Sequence, residues 1–85
     1  MDEIRIIGLH IFDRIKESNR TQLVLSKYAQ LIKTRLGFHE FSTDVCSRSG
    51  IIVLQLDGNN NECDAFEEEL LSIGGIEVKK MSFLK

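Results

Sequence analysis

The 85-residue sequence predicts an α+β fold of order β-α-β-β-α-β, a four-stranded antiparallel sheet with two helices on one face. Three observations carry that prediction. Two apolar, β-branched runs, at 4–12 and 51–56, each lead through a polar segment into a helix-start pattern. Each helix pattern is followed by a further strand-like run, 32–38 in the first case and 76–83 in the second. The halves also echo each other, IIGLHIFD against IIVLQLDG, as a doubled β-α-β unit requires.

Residues 4–12, IRIIGLHIF, are apolar on both parities, the pattern of a central strand covered on both faces. After the polar segment DRIKES, Asn19 with Gln22 three residues later has capping-box spacing, and Thr21, Val24, Leu25, Tyr28 and Ile32 follow at helical intervals, predicting a helix over 19–30. The next stretch, IKTRLGF, alternates Ile32, Leu36 and Phe38 with Lys33 and Arg35, so it reads as a strand with its cations on the exposed face. HEFSTDVCSRSG, 39–50, is polar and ends in glycine, hence a loop.

IIVLQL is the third strand, stopped by Asp57-Gly58 and three asparagines. Asn61 with Asp64 is a second capping pattern, and Cys63, Phe66, Leu70 and Ile73 form a helical stripe. Gly74-Gly75 can end that helix through a left-handed residue, and IEVKKMSF closes the chain as a fourth strand. The plan is ferredoxin-like, with strands one and three central, in a single domain spanning 1–85.

Placing Ile7, Leu9 and Ile11 under the helices leaves Ile6, Gly8, His10 and Phe12 on the uncovered face, joined there by Ile51, Val53 and Gln55. Such a face favours self-association, because apolar area removed from water is worth roughly 25 cal/mol per Å2. Lys33, Arg35, Glu77 and Lys79 are expected as its polar rim, and for Lys33 and Arg35 that reading is preferred to an anion site.

Composition narrows the function classes. Eleven basic against thirteen acidic residues give a net charge of −2, which provides no general field for a nucleic acid. Absence of proline and 42% hydrophobic residues argue for a regular, compact fold. The start MDEIRIIGLHIF lacks the cationic opening of a signal peptide, and no run is long enough to span a bilayer, so a cytoplasmic protein off the membrane is expected.

Cys46 and Cys63 form no CxxC pair. Cys63 falls on the apolar stripe and reads as a small buried residue; Cys46, beside Arg48, reads as an incidental thiol with redox sensing as the sharper option. Glu67, Glu68 and Glu69 read as a solvated helix face. His10 and His39 share no ligand spacing with the cysteines, so metal binding would need both histidines to meet between subunits. No phosphate-binding glycine loop or nucleophile motif is present.

Taken together, RIIGLHIFDR, RLGF, IIVLQLDG with its asparagine-rich turn, and SIGGIEVKK resemble the iron-only hydrogenase system regulators over about residues 4–80. That resemblance implies an ACT-like domain, similar to the ligand-binding domain of the nickel-responsive repressor, acting as an oligomeric regulatory or sensing module. It supplies no catalytic residues. Three features depart from the pattern. His39 stands where family members tend to have proline, DRIKESN lacks the glycine of amino-acid-binding ACT turns, and two unmatched histidines do not reproduce the repressor's metal set.

The expectation is therefore a non-enzymatic homodimer or homotetramer, paired through the sheet face, that binds a small molecule or a regulatory protein. No cofactor is named by the sequence, and no DNA-reading element fits beside the six elements. His10, Phe12, Arg35 and Val53 are expected to line the surface, with Lys33 on its rim. The competing readings are a metal sensor using His10 or His39 across subunits, and a small dimeric enzyme with His10 as acid or base.

Overall fold

The computed structural model describes residues 3–38 and 50–84. Its elements are β1 (Glu3–Ile11), α1 (Arg14–Lys27), a 3-10 turn (Ala29–Leu31), β2 (Ile32–Phe38), β3 (Gly50–Leu56), α2 (Asn60–Leu71) and β4 (Ile76–Leu84). All strand pairs are antiparallel in the order β2-β3-β1-β4, so β1 and β3 are central in a ferredoxin-like layout.

β1 buries one parity only. Arg5, Ile7, Leu9 and Ile11 face the helices, whereas Ile4, Ile6, Gly8 and His10 stay partly exposed. Two apolar parities thus reflect one covered face and one that the protomer leaves open. Ile52, Leu54 and Leu56 of β3 meet the same core, together with Leu25, Leu31 and the stripe Cys63, Phe66, Leu70 and Ile73. Tyr28 closes one end of it, its ring 5.0 Å from that of Phe66.

The first helix begins five residues before the expected start. Asn19 lies exposed inside α1, and Glu17 donates its backbone N–H to the Asp13 carbonyl at 3.0 Å. DRIKES looked like a connection because it is polar, but Arg, Lys and Glu are good helix formers, and an acid in the first turn suits the helix dipole. The end also differs from 30: the α-helix stops at Lys27 and tightens into the 3-10 turn.

α2 is capped by Asn59 rather than Asn61. The Asn59 side chain accepts the Glu62 N–H at 2.8 Å, and its amide donates to the Glu62 carboxylate at 2.6 Å. Among three consecutive asparagines, the one three residues before a glutamate wins, because that longer acid reaches back. At the other end Gly75 adopts φ +83°, the left-handed turn that leads into β4. The buried Glu17 carboxyl packs so close to this turn that a Cβ on Gly75 would lie 3.2 Å from it.

β2 corrects the expected rim. A bulge between Ile32 and Thr34 inserts Lys33 as an extra residue and reverses the parity beyond it. Ile32 stands opposite Leu56 on the helix side, but Leu36 now stands opposite Val53 on the open side, 59% exposed. Arg35 stands opposite Leu54 and reaches the helix layer, where it donates to Gln22 at 3.2 Å.

Candidate functional site on the open sheet face

Cross-strand register assembles the open face. Opposite residues of an antiparallel pair share a face, so β1 sets Gly8 between Val53 and Lys79, His10 between Ile51 and Glu77, and Ile6 between Gln55 and Met81. Phe12 continues this row past the strand end, its ring edge-on to that of His10 at 4.6 Å. Leu36 borders it on β2, and Phe83 opposite Ile4 extends it along β4.

The face is apolar where it is most open. Phe12, Leu36, Ile51, Met81 and Phe83 are five of the eight large hydrophobic residues exposed among the described residues. Met81 and Phe83 were not among the expected lining. Their signal lay in the alternation Glu77, Lys79, Met81, Phe83, which extends the parity of the recognised rim residues into apolar ones.

At the centre the surface sinks. A Cβ on Gly8 would meet nothing within 4 Å, so the missing side chain leaves a depression on an otherwise filled strand. Two shallow hollows meet there. One, of about 250 Å3, lies between His10, Ile51, Glu77 and Lys79; the other, of about 160 Å3, lies between Ile6, Val53, Lys79 and Met81.

Three polar side chains border the larger hollow. Glu77 is flanked by His10, with Nδ1 3.9 Å from Oε1, and by Lys79, with Nζ 3.9 Å from Oε2. Both separations exceed hydrogen-bond length, so the three groups remain available to another molecule. Glu77 and Lys79 therefore stand on the rim as expected.

The other predicted residues divide. His10 and Val53 lie at the centre and Phe12 at the end of the open face. Arg35 is excluded from it by the bulge and borders a separate groove of about 220 Å3 with Leu25, Ser26, Ala29 and Ile32. Lys33 is the exposed extra residue of the bulge and joins no shared cationic rim with Arg35. His39, Cys46 and Arg48 lie outside the described residues. Among the described residues, no group of three or more His, Cys, Asp or Glu side chains is placed to hold a metal ion.

The opposite face carries a charged cluster that the sequence reading missed. Arg5, nearly buried, bonds to Glu3 at 2.9 Å through Nε, to Asp64 at 2.8 Å, and to Glu67, which Lys80 also approaches at 3.6 Å. Burial opposes the Arg5 charge, but the bonds to Glu3 and Asp64 and the nearby Glu67 outweigh it and raise its pKa. The Ser82 hydroxyl and then Arg5 hold the Glu3 carboxyl below its ordinary range.

Glu67 is thus no solvated bystander, and neither is Glu69. Lys27 at 2.6 Å, followed by Tyr28, lowers the Glu69 pKa, while the bond to Glu69 raises that of Tyr28. Cys63 is buried, as expected, and that burial pushes its thiol pKa up and away from reactivity.

No protein-family model and no curated protein matches the chain. The fold does have solved counterparts. An uncharacterized protein, TM1266 from Thermotoga maritima, superposes with a TM-score of 0.80 at 23% identity, covering 95% of this chain and 98% of that one. A de novo designed protein, Foldit4, gives a TM-score of 0.57 at 12% identity over 99% of both chains. These likenesses concern the fold alone. No helix among the described residues is long and apolar enough to cross a membrane.

Proposed function

We propose that this chain is a non-enzymatic regulatory or sensing module that works as a homo-oligomer, with the open sheet face of one copy covering that of another. The observation that carries the reading is the contiguous apolar surface centred on Gly8 and bounded by Leu36, Ile51, Met81 and Phe83. Patches of that kind mark interaction sites.

The second copy is favoured as occupant on two grounds. Four strands about 4.8 Å apart, the longest of them about 30 Å, make a face whose corrugated area is of the order of the roughly 800 Å2 per partner that a standard interface takes. In addition, Glu77 and Lys79 place both charge signs on one edge, so a two-fold mate can bring opposite charges into apposition. Differential binding would supply the signal: a small molecule or partner protein that prefers one assembly shifts the population toward it.

The segments resembling iron-only hydrogenase system regulators support a cytoplasmic role in such a system, with any effect on transcription exerted through another protein. Native mass spectrometry of the untagged protein tests the reading. Even-numbered oligomers support it, with any retained small-molecule mass identifying a ligand. Monomers at tens of micromolar would overturn it.

A further inference from the structure

From the shape and chemistry of the hollows, we infer that the depression over Gly8 is a binding site for a small, flat apolar molecule bearing one carboxylate. The inference draws on the proposed pairing of open faces for the roof of the site; its floor and walls lie within one protomer. The floor is bare backbone at Gly8, and the walls are Ile6, Ile51, Val53 and Met81. A planar hydrocarbon can therefore lie directly on the sheet, at a depth that no other open-face position on β1 allows.

Both hollows are mainly apolar, with a few charged residues at their edges. Lys79 borders both hollows, its side chain 80% exposed and its ammonium 3.9 Å from the nearest carboxylate oxygen, so it can turn to an incoming anion without breaking a short bond. His10 borders the first hollow and adds an N–H donor, while Ile6, Val53 and Met81 give apolar contact in the second, whose lining also includes Lys80, with its ammonium 3.6 Å from Glu67. Glu77 is the one opposing charge there, and it shares Lys79 and His10 with the ligand. The arrangement selects an acid over an uncharged isostere by the Lys79 contact and selects a flat body by the bare backbone at Gly8.

Gly8 has no conformational need to be glycine, since among the described glycines only Gly75 has a positive φ. A larger residue can therefore fill the site without strain in the protomer. The test measures fluorescence titration with 2-naphthoate and with uncharged 2-naphthalenemethanol, and sedimentation velocity on the same samples. Wild type is expected to bind 2-naphthoate saturably, and Gly8→Val to abolish that binding while unfolding at the same or higher denaturant concentration. Lys79→Gln should weaken the acid about fivefold, the equivalent of about 1 kcal/mol, and leave the alcohol unchanged. Glu77→Gln should tighten the acid.

Undiminished binding by Gly8→Val, or equal losses of acid and alcohol in Lys79→Gln, would overturn the site. An oligomer that binds neither probe overturns the site and leaves the pairing intact. A monomer whose 2-naphthoate binding depends on Gly8 overturns the pairing and supports the site.

Discussion

The two faces of the sheet invert the usual distribution of charge. On the covered side, a nearly buried Arg5 is enclosed by Glu3, Asp64 and Glu67 beside a close-packed apolar core. On the open side, Phe12, Leu36, Met81 and Phe83 stand more than half exposed around a glycine. The covered face is satisfied largely within one chain, because Arg5 bonds to Glu3, Asp64 and Glu67. The open face has no such cover within one chain, and the proposed pairing would supply it. On the proposed pairing, stability of the protomer and capacity for association lie on opposite sides of β1, so each should be alterable alone.

The largest effect should come from the covered core. Phe66, fully buried against Tyr28, should cost about 3–5 kcal/mol when replaced by alanine, read from urea denaturation, with no gain in association. A comparable loss from Leu36→Ala would erase the contrast between the faces, since that side chain is mostly exposed.

Arg5→Leu should come next, costing about 2 kcal/mol: breaking a buried ion pair is expensive, but Asp64 is exposed enough to recover its hydration. Its effect should depend on pH. Because the folded Glu3 pKa lies below its ordinary 4.5, its contribution is present above that value and is lost as pH falls through the lowered folded value. Arg5→Leu should shallow this acid limb in denaturation series from pH 6 to pH 3, while the Ser82 bond preserves part of it.

The smallest effect sharpens a local point. Asn59→Ala should cost about 1 kcal/mol, whereas Asn61→Ala, at the second residue of the helix and exposed, should stay within about 0.5 kcal/mol. Equal costs would mean that the cap is shared rather than fixed by the Glu62 pairing.

Much of this architecture was legible in the sequence. The stripe Cys63, Phe66, Leu70 and Ile73, the parity of Ile7, Leu9 and Ile11, and the left-handed Gly75 follow from periodicities and glycine chemistry that the structure reproduces. The sheet order follows from the repeated unit. What escaped depends on contacts distant in sequence. The bulge at Lys33 leaves no local mark, because alternation looks the same on either side of an inserted residue, yet it moved Arg35 to the helix layer. Arg5 sat inconspicuously in an apolar run, since its partners Asp64 and Glu67 are some sixty positions away. The hollow at Gly8 could be located in sequence only as a missing side chain. Its depth depends on which neighbours β3 and β4 set beside it.

The most direct measurement is sedimentation velocity of wild type beside Met81→Glu, whose exposed side chain lies on the open face away from the core. Covering of one open face by another predicts oligomeric wild type and a monomeric variant with unchanged far-ultraviolet circular dichroism. Wild type and variant sedimenting as the same species, whether monomer or oligomer, would contradict it.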